Sequence, residues 1–112
     1  MNTETHSPTV SDATFQAEVL NFPGTVLVDF WAEWCTPCRV VGPVVDALAE
    51  KYASDPNVRI LKMDVDANQE TSNTYRIMSI PAMKIFKNGM QVDEMIGAAP
   101  ANMIEDFLKK NL

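Results

Sequence analysis

One apolar run, TVLVDFWA at residues 25–32, most constrains the fold of this 112-residue chain. β-branched, aromatic and aliphatic residues fill both phases of the run, and Asp29 is its one acid. Such a run is typical of a central strand that is covered on both faces. A helix with one apolar face follows at 36–53, and a second buried-type strand follows at 58–66. This strand, helix, strand order predicts a parallel pair joined by a crossover helix.

Weaker signals predict the elements on either side of this unit. Residues 11–20 have helical apolar spacing, with Ser11 or Asp12 as the N-cap, and the FPG tripeptide at 22–24 should end that helix. Residues 67–77 are polar and only weakly helical.

The last third of the chain predicts a hairpin and a closing helix. Asn88-Gly89 is a strong turn signal between the strands 82–86 and 90–96, and residues 99–112 form an amphipathic helix. We therefore expect an α/β fold with a central mixed β-sheet of four to five strands and helices on both faces. The fifth strand would be a short edge at the end of the polar tail, residues 1–9.

Length and composition limit the function classes. With 46% apolar residues, residues 1–112 can bury one core, so we expect a single domain. The net charge of −6 argues against a nucleic-acid surface. No run approaches the roughly 18 apolar residues that cross a bilayer, and no leader pattern is evident. We expect a cytoplasmic monomer that binds no membrane, although a mature form whose signal had been removed would look the same.

Two cysteines, Cys35 and Cys38, are the candidate reactive groups. Zinc needs four ligands, and the chain adds only His6, in a polar tail, so we expect no metal. A bridge over so short a loop would stabilise the fold little. A reactive dithiol fits best, because Cys35 lies where the helix begins and the free N–H groups and macrodipole there favour a thiolate. Pro37 suits the first helical turn, and Arg39 adds positive charge.

Around these residues the chain resembles the thioredoxin family. The similar segments are VLVDFWAEWCTPCR, VGPVVDALAEKY, LKMDVDAN, YRIMSIPAMKIFKNG and IGA, and together they extend over roughly residues 10 to 112 in the family's order. The resemblance implies the thioredoxin fold and the reduction of protein disulfides. It implies that Cys35 is an exposed nucleophile that forms a mixed disulfide, and that Cys38 is the buried resolving thiol.

Asp29 and Lys62 are candidate partners of the dithiol. Asp29 lies among apolar residues, where desolvation should raise its pKa, so it is either a general base or a structural acid satisfied by a backbone N–H or by water. The resemblance implies the base. Lys62 alone would be a surface lysine whose stem lies along apolar neighbours. The resemblance instead pairs it with the buried acid, whose pKa it would lower.

The resemblance also implies a substrate-binding surface. Pro81 stands at the position of the family's cis-proline, although X–Pro bonds are usually trans, and the backbone of Ile80 would bind an incoming peptide like an added strand. We interpret Met78 and Met83 mainly as core residues, with an adaptable contact surface as the alternative. The residues that match the family's contact surface are Trp34, Thr36, Pro37, Ile80, Pro81, Ile96, Gly97 and Ala98. Trp31 should pack beneath the site.

Thr36 is the main departure from the family pattern, which has glycine between the cysteines. Because residues at this position influence thiolate stability, the reduction potential is expected to differ from that of a typical member. The resemblance implies no bound cofactor, electrons from NADPH through a flavoprotein thioredoxin reductase, and disulfide-containing protein substrates. The alternatives are a thiol oxidase or isomerase with a shifted potential, and a redox-independent binding subunit. Oxidases and isomerases tend to carry histidine where this chain has Pro37.

Overall fold

The computed structural model describes residues 7–112, and His6 lies outside them. Within these described residues, four strands, three α-helices and one short π-helical segment follow one another. The strands are β1 (Thr25–Trp31), β2 (Val58–Asp64), β3 (Ala82–Lys87) and β4 (Met90–Ile96). The helices are the π-helical segment Gln16–Leu20, α1 (Thr36–Lys51), α2 (Gln69–Thr74) and α3 (Ala101–Lys109).

The four strands form one mixed sheet in the order β2-β1-β3-β4. β1 runs parallel to β2 and antiparallel to β3, and β3 pairs antiparallel with β4. The expected fifth strand is reduced to a single parallel bridge between Thr9 and Lys62, beside β2. The mixed sheet predicted from the crossover and the hairpin is therefore confirmed.

Helices cover both faces of this sheet because β1 is apolar in both phases. Val26, Val28 and Phe30 point to the face that holds the π-helical segment and α2, where they join one core cluster. Leu27 points to the opposite face and packs in a second cluster with residues of α1 and α3. Asp29 is in phase with Leu27, so its carboxyl points toward α1.

The predicted helix over 11–20 begins later than expected, and its predicted cap is wrong. Only Gln16–Leu20 is regular helix, preceded by Phe15. The Asp12 carboxylate instead accepts hydrogen bonds from the backbone N–H groups of Glu70 (3.2 Å) and Thr71 (2.8 Å), in the first turn of α2. Hydrogen bonds centred on Thr71 hold the pKa of Asp12 below its usual value.

The two connections beside the central strands have clear stereochemical causes. Asn88 and Gly89 both have positive φ, 54° and 80°, as the tight turn between β3 and β4 requires. At Gly24, a Cβ would lie 2.1 Å from the carbonyl oxygen of Asn57, so only glycine fits before β1. Within residues 7–112, no helix has the length and apolar character needed to cross a bilayer.

Candidate active site

Cys35 and Cys38 lie at the amino end of α1, directly after β1, and form a disulfide. Cys35 is the N-cap residue, and its Sγ accepts a hydrogen bond from the backbone N–H of Cys38 at 3.2 Å. Pro37 lies in the first turn, where its missing N–H removes a donor that would have no helical partner. The sulfur of Cys35 therefore occupies the position where a helix end stabilises negative charge.

The expectation that the nucleophilic cysteine is exposed is wrong for this disulfide form. Cys35 is 3% exposed and Cys38 is 4% exposed. Both pack in a small cluster with Ala32 and with the half-buried side chains of Trp31 and Ile80. Cys35 is buried because its side chain turns into the helix start, toward the N–H of Cys38 and the second sulfur. Trp31 does pack beneath the dithiol.

A cavity of about 420 Å³ lies behind the disulfide, between β1, β2 and α1. Its lining brings Cys38 together with the charged residues that the sequence predicted near the dithiol, which are Asp29, Lys62 and Arg39. The lining residues are Asp29, Trp31, Ala32, Glu33, Cys38, Arg39, Gly42, Pro43, Asp46 and Lys62. At the mouth, the Arg39 guanidinium donates to the backbone oxygen of Glu33 at 2.9 Å.

Asp29 is 1% exposed, and no atom of residues 7–112 donates a hydrogen bond to either of its carboxyl oxygens. Burial raises the pKa of Asp29 to about 7, while the Lys62 charge lowers it and the Asp46 charge raises it. A group with this pKa exchanges a proton readily at neutral pH. A structural acid held by a backbone N–H was one interpretation from the sequence, and residues 7–112 supply no such hydrogen bond.

Lys62 does lower the pKa of Asp29, as expected, but the two side chains form no hydrogen bond. The two residues are register neighbours on β2 and β1. The Nζ atom of Lys62 nevertheless lies 2.9 Å from Oδ1 of Asp46, a residue of α1. Both side chains of this ion pair are largely buried, at 16% and 15% exposed. Lys62 therefore acts on Asp29 through its charge and without a hydrogen bond.

The predicted proline, Pro81, lies in the loop before β3. The Ile80–Pro81 peptide bond is cis. Ile80 packs against the cysteine cluster. The backbone oxygen of Pro81 accepts a hydrogen bond from the N–H of Gly97 at 2.8 Å, which joins this loop to the end of β4.

Around the disulfide lies a surface with several exposed apolar side chains. Trp34 is 68% exposed, and its indole N–H donates to the Asp66 carboxylate at 2.8 Å. Ile96 is 52% exposed, and Gly97 has a φ of 91° with open space where a side chain would begin. Of the other residues predicted for this surface, Thr36, Pro37 and Ala98 are exposed.

The two methionines near the proline have opposite environments. Met83 is fully buried in the core cluster of α1 and α3, as expected. Met78 is 91% exposed, so its assignment to the core is wrong. It lies in the loop before Ile80, where no strand or helix directs its side chain inward.

Sequence reasoning missed Asp46 and Ser7. The sequence does contain a signal for Asp46, because it follows Cys38 by eight residues, about two helical turns, and so shares its face of α1. Ser7 lies in the amino-terminal tail, and its backbone N–H and hydroxyl both donate to Oδ1 of Asp46, at 2.8 and 2.9 Å. Among the described residues, no three His, Cys, Asp or Glu side chains come together to hold a metal ion.

Comparison with known proteins agrees with this geometry. A family model described as Thioredoxin matches residues 6–110. The chain belongs to the thioredoxin family. It is 50% identical over 101 residues to the thioredoxin of Porphyra purpurea, covering 90% of this chain and 92% of the relative. It is 45% identical over 106 residues to a Synechocystis thioredoxin, covering 95% and 97%. It is 47% identical over 102 residues to thioredoxin 2 of Chlorobaculum tepidum, covering 91% and 92%.

Family membership and the paired cysteines fix the class of reaction. Proteins of the thioredoxin family are disulfide oxidoreductases, and this chain keeps the Cys-x-x-Cys pair at the helix start. The chain is therefore a protein disulfide reductase. The reduced dithiol itself holds the two electrons that it passes to the substrate and is left as the Cys35–Cys38 disulfide, so this chemistry needs no bound cofactor.

Proposed function

We propose that the chain, as a single domain of residues 1–112, reduces protein disulfides with Cys35 as the attacking thiolate, Cys38 as the resolving thiol and Asp29 as the general base. One observation carries these assignments. Asp29 is buried without a hydrogen bond from residues 7–112 and shares a cavity with Cys38, while Cys35 is the N-cap residue of α1.

In the first step, the Cys35 thiolate attacks one sulfur of a substrate disulfide. A bond forms between Cys35 and that sulfur, the substrate disulfide breaks, and the other substrate sulfur leaves as a thiolate. The helix start supports the attacking charge with the N–H of Cys38. Ile80 and Pro81 would bind the substrate backbone, and the surface from Trp34 to Ala98 would contact its side chains.

In the second step, Cys38 attacks Cys35 and releases the reduced substrate. The Cys38 thiol gives its proton to the Asp29 carboxylate, directly or through one water in the shared cavity. The Cys35–Cys38 bond forms while the mixed disulfide breaks, and the second substrate sulfur leaves as a thiol after protonation. Two electrons have then passed from the dithiol to the substrate.

The oxidised protein must be reduced again by a partner. The family resemblance supports thioredoxin reductase, a flavoprotein that would pass two electrons from NADPH to the Cys35–Cys38 disulfide. We place this cycle in the cytoplasm of a cell, where it would supply electrons to reductive enzymes and maintain the redox balance. The protein would act as a monomer.

A trapping experiment tests the assigned order of the cysteines. Cys38→Ser should accumulate a mixed disulfide at Cys35 with a protein substrate, because resolution is lost and attack is kept. Peptide mapping by mass spectrometry identifies the modified residue. The matched variant Cys35→Ser should trap none. An adduct on Cys38 in that variant, or no adduct in Cys38→Ser, contradicts the assignment.

A kinetic experiment tests the base. Asp29→Asn keeps the shape of the side chain but cannot accept the proton. Positioned general bases contribute about 10²–10⁴-fold to rate. Rapid-quench measurements should therefore show slower decay of the mixed disulfide by at least about 100-fold, with a much smaller change in its formation. Equal slowing of both steps would remove Asp29 from the role of base.

A further inference from the structure

Asp29 and Lys62 are neighbours across the sheet, yet their side chains form no hydrogen bond. They are register neighbours on parallel strands and line the same cavity. The Lys62 ammonium is nevertheless bonded to Asp46 at 2.9 Å, while neither Asp29 oxygen accepts a hydrogen bond from residues 7–112. A charge-assisted hydrogen bond between a lysine and a carboxylate is stronger than one between neutral groups. The Lys62 ammonium is therefore held toward Asp46 of α1 and away from Asp29.

The Asp46 carboxylate is itself held in place by the amino-terminal segment. Ser7 is 2% exposed and donates two hydrogen bonds to the oxygen that also binds Lys62. The same segment is fixed to β2 on both sides of that lysine, since Lys62 N–H donates to Pro8 and Val10 N–H donates to Lys62, each at 2.9 Å. Although burial raises the pKa of Asp46, hydrogen bonds from Ser7 and Lys62 bring it below its usual value, so Asp46 is an anion at neutral pH.

We infer that Asp46 is a positioning residue for the resolving step. By binding the Lys62 ammonium it keeps that cation from pairing with Asp29, and so leaves the Asp29 carboxyl free to exchange a proton with Cys38. The inference rests on the proposed role of Asp29 as base. It assigns Ser7, Asp46 and Lys62 to one network that adjusts the base without contacting the substrate.

Glu33 and Arg39 are the other charged residues that line the cavity, and neither is among the charges that shift the pKa of Asp29. Arg39 donates to the Glu33 backbone at the mouth. The charges that act on Asp29 are those of Lys62, which lowers its pKa, and Asp46, which raises it. Loss of the Asp46 charge should therefore lower the pKa of Asp29 twice over: one negative neighbour disappears, and Lys62 becomes free to move toward Asp29.

The first test is a carboxyl ¹³C NMR titration of Asp29. In Asp46→Asn, its pKa should fall by about one pH unit or more, the size expected when an opposite charge approaches within hydrogen-bond range. Glu50→Gln is the matched control, because it removes one exposed negative charge from the same helix, away from this cavity. An unchanged Asp29 titration in Asp46→Asn, or an equal change in Glu50→Gln, overturns the inference.

Asp46 could raise the pKa of Asp29 by its own charge or by holding Lys62 away, and a double-variant cycle separates these two effects. In the Lys62→Met background there is no ammonium to release, so adding Asp46→Asn should lower the pKa of Asp29 by less than half of its effect in the native background. An undiminished effect would mean that Asp46 acts by its charge alone, and positioning would be rejected. Should Asp46→Asn not fold, the native protein gives the answer. The Lys62 ammonium ¹⁵N signal should stay constant as Asp29 titrates, whereas a large shift in step with Asp29 would show direct pairing.

The rate of resolution distinguishes this inference from the proposed function. The pH profile for decay of the mixed disulfide should move to lower pH in Asp46→Asn, together with the NMR titration. If the Asp29 titration moves in the cycle as predicted but the profile does not follow, the positioning of Lys62 stands and the base role of Asp29 fails. If the titration does not move, the positioning fails whatever the rates are.

Discussion

Asp29 and Cys38 line the same cavity, and the Asp29 carboxyl receives no hydrogen bond from residues 7–112. An acid in this state is costly for the fold, because its ionised form has lost water without gaining a protein donor. The proposed role as general base for Cys38 would account for an acid at this position. The effect of Asp29 on the free energy of unfolding and its effect on disulfide reduction can be measured separately.

The first prediction concerns stability and pH. The folded pKa of Asp29, about 7, exceeds the unfolded value of about 3.9, so folding is favoured where the group is protonated. This stabilisation is complete below about pH 4 and is lost as the pH rises through 7. Asp29→Asn should therefore be more stable than the native protein at pH 8, by roughly 4 kcal/mol at 1.36 kcal/mol per pKa unit.

Urea unfolding of both proteins between pH 4 and pH 8 measures this difference. Acids whose pKa is lowered, such as Asp12 and Asp93, change stability in the opposite sense, but they are common to both proteins and cancel in the comparison. A difference in stability that stays constant across the pH range would contradict the raised pKa of Asp29.

The second prediction concerns the loop after α2. Arg76 has a φ of 53°, a left-handed conformation that costs a side-chain-bearing residue about 1–2 kcal/mol. Arg76→Gly should relieve this cost and lose about 0.4–1 kcal/mol through the more flexible unfolded chain. The net gain in the free energy of unfolding should be about 0.5–1 kcal/mol. Asn88→Gly is the control, because asparagine tolerates its φ of 54° and should change little. Destabilisation by Arg76→Gly would contradict the assigned backbone.

The sequence predicted the parts of the fold that depend on local patterns. Residues 25–32 are apolar at positions that point to both sides of a strand, which predicted β1 and the helices on both of its faces. The Asn88-Gly89 pair predicted the hairpin. The position of Cys35 at a helix start followed from the strand that precedes it. These signals lie within a few residues of the element they specify, so tertiary packing did not override them.

The errors arise where partners lie far apart in the chain. Asp12 was expected to cap its own helix, but its carboxylate binds the N–H groups of Glu70 and Thr71. Lys62 lowers the pKa of Asp29 as expected, but its ammonium binds Asp46, which Ser7 holds from 39 residues away. No local pattern indicates which of two acids a lysine will reach, because the choice depends on the packed arrangement of three elements.

The third prediction separates the reductase from an oxidase or isomerase. The equilibrium reduction potential of the Cys35–Cys38 pair, measured against glutathione, should be more negative than the potential of a cytoplasmic glutathione pool, so that the dithiol donates electrons. The exposed Thr36 lies between the cysteines, and Thr36→Gly reports how much of the value it sets. A potential well above that pool would favour the oxidase or isomerase.

The fourth prediction separates redox chemistry from binding alone. Replacing both Cys35 and Cys38 with serine should abolish disulfide reduction and any cellular function that depends on it, while the surface around Trp34 and Ile96 remains. Complementation of a thioredoxin-deficient cell by this variant measures the outcome. Full complementation would mean that the chain serves as a redox-independent binding subunit.

The most direct test is the alkylation rate of Cys35 in the reduced protein, followed against pH with iodoacetamide and mapped by mass spectrometry. The sulfur at the helix start should react at neutral pH much faster than an unactivated cysteine in a peptide, and Cys38 should react far more slowly. Reaction of Cys35 no faster than the peptide thiol, or preferential labelling of Cys38, would contradict its role as the thiolate nucleophile.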